Sequence, residues 1–187
     1  MKKFIKFFAV LAIVCALLLG FQYMLMYLYP LKYSEYVEKY ADEYGLEQSM
    51  VYAIIKCESG FKKDAQSGAG AIGLMQITSD TYKWAAEKAN EEFFGENALY
   101  DINTNIKYGC FIFSMLKQEF NHESTALAAY NAGRSKVKSW LKDNKYSNDG
   151  TLLQNIPYPE TKKYVSKVLK AQKIYNLLYK RRIANVG

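Results

Sequence analysis

The rhythm of apolar residues changes once along this chain, between Tyr29 and Ser34. Before the change, Phe7 to Tyr29 form an uninterrupted uncharged run, and a helix of that length crosses a hydrocarbon layer of about 30 Å. After it, apolar positions recur every three or four residues, which predicts a series of amphipathic helices. Tyr36, Val37, Tyr40, Ala41 and Tyr44 trace one face of a first helix, with Ser34 as its cap and Gly45 as its stop. Met50, Val51, Ile54 and Ile55 mark a second that ends near Glu58. A third fits Asp80 to Asn90, and a long one runs from about Asn103 to Asn121 with Ile102, Ile106, Phe113, Leu116 and Phe120 inward. A shorter helix ends at Gly133, and a brief one carries Val137, Trp140 and Leu141. Pro159 sits where a last helix can start, its buried stripe being Tyr164, Val168, Ala171, Tyr175 and Leu178. The polar stretches Glu91 to Asp101 and Asn144 to Asn155 read as loops. No strand alternation competes, so the expected class is all-α.

The N-terminal run reads as an export signal that stays attached. Lys2, Lys3 and Lys6 precede it, which keeps that end in the cytoplasm and sends Pro30 onward outside. A cleavable signal has a shorter apolar region and a small-x-small site, and no clear site stands between Phe21 and Pro30. Cys15 follows Ala12-Ile13-Val14, without the small residue expected before a lipid-modified cysteine, so it reads as an ordinary apolar residue of a membrane helix. The expectation is a signal-anchor over 1–29, contacting the membrane through 7–29, and a domain over 30–187 on the outer side. That makes a single-pass protein of the cell membrane.

With 187 residues, 50% hydrophobic and 16% aromatic, the chain holds one domain with a real core beside that segment. A net charge of +7 favours an anionic partner. The lysines are scattered over amphipathic helices rather than clustered, so nucleic acid is not expected and most of them read as a solvated face. Cys57 and Cys110 fall on apolar helix faces and read as buried free thiols rather than a disulfide. One histidine, His122, and three cysteines at such spacing give no metal pattern, and no cofactor is expected.

The chemistry centres on Glu58, in Cys57-Glu58-Ser59-Gly60-Phe61. Lying near the end of a mostly buried helix, its carboxylate is costly to ionise; a raised pKa is what a general acid needs near neutral pH. A helix-end Glu taken alone would be unremarkable. The residues beyond it change the reading: Ala65, Ser67, Gly70-Ala71-Ile72-Gly73-Leu74-Met75-Gln76-Ile77 and Thr81, then Asn105-Ile106 with Gly109, then Ala126-Leu127-Ala128-Ala129-Tyr130-Asn131-Ala132-Gly133, and last Glu160-Thr161 with Tyr164-Val165. In that order they resemble the catalytic core of the soluble lytic transglycosylase family, related in fold to goose-type lysozyme, over roughly Ser34 to Leu178. One departure is Ser79, where many members have Pro; Ser79 or Asp80 can cap the following helix instead.

The resemblance implies a goose-lysozyme-like all-α domain acting on peptidoglycan glycan strands. In such enzymes one carboxyl does the work of two: Glu58 would protonate the glycosidic oxygen between N-acetylmuramic acid and N-acetylglucosamine while the substrate's N-acetyl group stabilises the anomeric carbon. It would then take the proton of the muramic 6-hydroxyl, closing a 1,6-anhydro ring, a substrate-assisted exception to the two-carboxylate rule. By the same resemblance Ser59 and Ser67 would bond near the carboxylate or the sugar, and Gln76 would line the cleft. Tyr130 and Asn131 would orient the N-acetyl group, and Glu160 and Tyr164 would close the other wall. Among 17 tyrosines, Tyr130 and Tyr164 are equally readable as core rings, and Ser59 as a helix-end cap. A muramidase that hydrolyses the same bond, and an inactive glycan-binding scaffold, are the alternatives.

Overall fold

A computed structural model describes residues 2–183 of the chain. Two compact units form, Met1–Leu31 and Lys32–Gly187. The first is helix α1, Lys2–Leu28, whose 27 residues include none that is buried. Its length and apolar character suffice to cross a membrane.

The second unit is helical, with no strand among the described residues beyond two isolated bridges, Gln66 to Ile72 and Ile72 to Ile77. Helix α2 spans Ser34–Glu43, α3 Gln48–Glu58, α4 Ser79–Ala89, α5 Ile102–Phe120, α6 Glu123–Ala132, α7 Arg134–Leu141 and α8 Pro159–Ile183. Helix α3 is the axis of the domain. Every residue from Gln48 to Ile55 is buried, with α8 along one side and α2 on another. The Tyr52 ring stacks on Tyr175 at 5.4 Å and also meets Phe61 at 6.5 Å. Ile54 and Ile55 are wholly enclosed, each contributing about 1.5–3 kcal/mol of burial. Because α3 is covered all round, even its first turn is inside; there Glu47 accepts hydrogen bonds from Gln172 Nε2 (3.1 Å) and Ser49 Oγ (3.2 Å), an acid at the helix end that favours one.

The helix ends depart from the sequence-based expectations in two places. At α2, Ser34 is the first helical residue rather than the cap. Tyr33 precedes it in the left-handed region (φ 61°), its carbonyl accepting the Val37 N–H and its hydroxyl donating to Phe61 O at 3.4 Å. At α4 the cap is Thr78, not Ser79 or Asp80. Thr78 is the residue with extended backbone, and its hydroxyl reaches both the N–H and the hydroxyl of Thr81. The stop of α2 forms as expected: Leu46 N–H bonds to Ala41 O (2.8 Å) and Gly45 N–H to Asp42 O (3.3 Å), the paired bonds of a Schellman end. The segment read as a loop before α5 contains a 3-10 turn, Glu96–Tyr100, which buries Leu99.

Cys15, Cys57 and Cys110 are all free.

Candidate active site

Glu58 is the last residue of α3. Beyond it the chain reverses through Gly60 and Phe61, both left-handed, and the Phe61 ring is drawn into the core. Ser59 holds this turn: its hydroxyl donates to Ile55 O (3.1 Å) and accepts the Phe61 N–H (3.1 Å). Those bonds close its own helix, and Ser59 stands outside the lining of the cleft that Glu58 faces.

The segment from Ala65 to Ile77 folds back on itself. Ser67 N–H bonds to Ala71 O, Ile72 and Ile77 exchange backbone bonds, and Gly73 N–H reaches Ala65 O at 2.8 Å. Gln76, at φ 49°, sends its amide nitrogen inward to Gly73 O (2.9 Å) and Ala65 O (3.2 Å). The Ser67 hydroxyl accepts the Ala71 N–H (3.0 Å), which leaves its own proton free to donate. The fold-back is pinned to α5 by buried Asn105, whose Nδ2 donates to Leu99 O (2.8 Å) and Ile72 O (3.0 Å) and whose Oδ1 accepts the Met75 N–H (2.8 Å). This close approach requires glycine twice. A Cβ on Gly73, which also has φ 80°, would collide with the Asn105 amide and Leu99 O, and one on Gly109 would enter the Met75 side chain.

The cleft beside this loop has a volume of about 730 Å³. Of the residues singled out in the sequence, Glu58, Ser67, Gln76, Tyr130, Asn131 and Glu160 line it, brought together from the end of α3, the fold-back, the end of α6 and the start of α8. Tyr130 donates its hydroxyl to Met75 O at 2.8 Å, joining α6 to the Gly-Leu-Met-Gln turn. Asn131 is exposed, and its Oδ1 accepts the Thr161 hydroxyl (2.8 Å), leaving the amide nitrogen as the end that can donate to a ligand. Tyr164 is buried and does not line the cleft. Its hydroxyl has no partner of full hydrogen-bond geometry, yet it lies close enough to Glu58 to favour the carboxylate.

Burial is the larger influence on Glu58 and pushes its pKa up to about 7, with Tyr164 pulling the other way. Tyr130 and Tyr164 are both raised, first by burial and then by the nearby Glu58 charge, so each stays a phenol. Cys57 is pushed up to about 11 by burial and by Glu58, which keeps it a thiol. The cleft therefore has a mostly buried acid that can hold or release a proton near neutral pH, with the neutral donors Ser67 and Asn131 in the same lining. Among the described residues no group of three or more His, Cys, Asp or Glu side chains is placed to hold a metal ion.

The lining also includes residues outside the sequence reading, the largest of them Trp84 and Arg134. Trp84 reaches the cleft from α4, and Arg134 from α7, where Glu119 bridges it to Lys138. The signal for Trp84 was available: it falls opposite Tyr82, Ala85 and Ala86, the buried face of α4.

Residues 35–152 match the family model described as the transglycosylase SLT domain. The soluble lytic murein transglycosylase of Salmonella typhimurium is 33% identical over 144 residues, 75% of this chain and 22% of that protein. The membrane-bound lytic murein transglycosylase C of Pectobacterium atrosepticum is 28% identical over 169 residues, 77% of this chain and 46% of the relative. Among solved structures, an inactive mutant of lytic transglycosylase Slt from Pseudomonas aeruginosa superimposes with a TM-score of 0.70 at 34% identity, covering 80% of this chain and 24% of that one. The chain thus spans less than half the length of these relatives. The fold is the helical, lysozyme-like fold of those lytic transglycosylases. Matched over most of its second unit, from just inside α2 to the segment before α8, the chain belongs to the transglycosylase SLT domain family.

Proposed function

We infer that this protein is a membrane-anchored peptidoglycan lytic transglycosylase, cleaving the β-1,4 bond between N-acetylmuramic acid and N-acetylglucosamine. The observation that carries the reading is Glu58: a mostly buried carboxyl with a pKa near 7, at the wall of a cleft in a domain of this family. In the proposed reaction Glu58 gives its proton to the glycosidic oxygen as the bond to the anomeric carbon breaks. The substrate's N-acetyl oxygen shares the positive charge at that carbon. Glu58, now a carboxylate, takes the proton of the muramic 6-hydroxyl, whose oxygen closes the 1,6-anhydro ring and restores the acid. Ser67, with its free proton, and Asn131, with its free amide nitrogen, supply donors to the sugar. Tyr130 holds the turn that carries Gln76. Glu160 closes the cleft from α8, while Ser59 and Tyr164 act from behind, the first by fixing the helix end and the second by receiving the charge that appears on Glu58.

The products decide it. Full-length protein incubated with purified peptidoglycan is expected to release muropeptides ending in 1,6-anhydromuramic acid, read by mass spectrometry as one water lighter than reducing ends. Reducing ends alone would make it a muramidase, and intact strands would make it a binding scaffold.

For location, we infer that α1 crosses the cell membrane once, uncleaved, with Lys2, Lys3 and Lys6 inside and the catalytic domain facing the wall. Protease added to wall-stripped cells is then expected to digest the domain and spare α1. A soluble mature form lacking the first thirty or so residues would overturn this.

A further inference from the structure

Helix α4 separates the core from the cleft. Tyr82, Ala85 and Ala86 are fully buried on one face, whereas Asp80, Thr81 and Trp84 all line the cleft. From Tyr82 to Trp84 the helix turns through about 200°, so the largest apolar side chain of α4 sits on the face where a polar residue is expected. The second tryptophan gives the contrast. Trp140 is buried, its ring edge-on to Tyr158 at 5.0 Å. Trp84 is half-buried and has no hydrogen bond or ring contact among the described residues. The cleft it shares, about 730 Å³, is partly apolar: Ile112 and Leu116 come from α5, and Ala129, Ala132 and Gly133 offer almost no side chain. One turn back, Asp80 and Thr81 bring polar groups to the rim. A flat aromatic face, space above it and polar groups at its edge suit the two-sided chemistry of a pyranose ring, whose C–H faces are apolar and whose hydroxyls project outward.

We propose that Trp84 is a glycan-binding platform, on which a sugar of the bound strand stacks outside the pair of sugars joined at the scissile bond. This rests on the peptidoglycan reading above, and it assigns Trp84 to strand affinity rather than to proton transfer. The Thr78 cap fixes the first turn of α4 and with it the level of the indole.

The test uses the full chain in detergent micelles with Glu58→Gln as background, so that strands are bound and not cut. Because Trp140 is enclosed, tryptophan emission that shifts on adding glycan strands reports Trp84 without any change at that residue. A saturable shift is expected, with Trp84→Phe removing the shift while still binding. Trp84→Ala is expected to weaken binding of strands of six or more sugars by about ten-fold, and of disaccharides little, as read by calorimetry. Circular dichroism of each variant checks that the helices persist. Strand binding without an emission change, or equal affinity in Trp84→Ala, overturns the platform and leaves the peptidoglycan reading standing. No strand binding by the Glu58→Gln chain overturns both.

Discussion

Glu58→Gln is expected to lower cleavage of peptidoglycan by about two to four orders of magnitude, the usual range for a general acid, while the helical content stays that of the unsubstituted chain. The amide matches the carboxyl in shape but neither gives up nor retrieves a proton. The unsubstituted enzyme should lose kcat/KM as pH rises through about 7, since only protonated Glu58 starts the reaction, and the residual activity of Glu58→Gln should lack that limb. Stability follows the same sign. The folded chain holds the Glu58 proton more tightly than the unfolded chain does, so this group's contribution is fully present below about pH 4.5 and is lost as pH rises through 7. The loss amounts to about 3 kcal/mol. Glu58→Gln should therefore match or exceed the unsubstituted chain in Tm at pH 8. Activity within ten-fold of normal, with the same products, would remove Glu58 from the chemistry.

Asn105→Ala is the second large effect, and it acts on the fold. One side chain serves three buried backbone groups, Met75 N–H, Ile72 O and Leu99 O; alanine leaves Met75 N–H and Leu99 O without that partner, while Ile72 O keeps the Ile77 N–H at 3.1 Å. At about 1–3 kcal/mol for each unsatisfied group, with partial relief by water, a loss of about 3 kcal/mol or more is expected in urea unfolding, seen as a lower midpoint at unchanged slope. Asn105→Asp should do no better, because a carboxylate keeps the acceptor but faces two carbonyl oxygens. Turnover should fall as well, since the fold-back carries Ser67 and Gln76 into the cleft. A loss under 1 kcal/mol would mean that the fold-back is held elsewhere.

Helices α2, α4, α5 and α8 were legible because each buries one face, and a 3.6-residue period survives in sequence even where the ends do not. Caps were less so: Thr78, Ser79 and Asp80 are all good capping residues, and only the extended backbone of Thr78 decides among them. The gathering of Glu58, Ser67, Gln76, Tyr130, Asn131 and Glu160 around one cleft came from ordered motifs, since no periodicity says that the ends of α3 and α6 and the start of α8 converge. What stayed hidden was the direction of short polar side chains. Ser59 turns to its own helix, and Thr161 turns to Asn131, thirty residues away in sequence. Trp84 was missed for a different reason: it adds nothing to the buried stripe by which α4 is recognised.

The direction in which α3 runs bears on the acid it ends with. Peptide dipoles aligned along a helix leave partial negative charge at its carbonyl end, within the last turn, where Glu58 stands. A carboxylate formed there meets that charge from its own backbone, in addition to the loss of water, and the proton is held the more firmly for it. This contribution belongs to the peptide groups of Ile55 to Glu58 and not to any side chain. Replacing surface lysines around the domain should therefore leave the neutral limb of the pH profile where it is, whereas a residue that unwinds the last turn of α3 should move it toward acid.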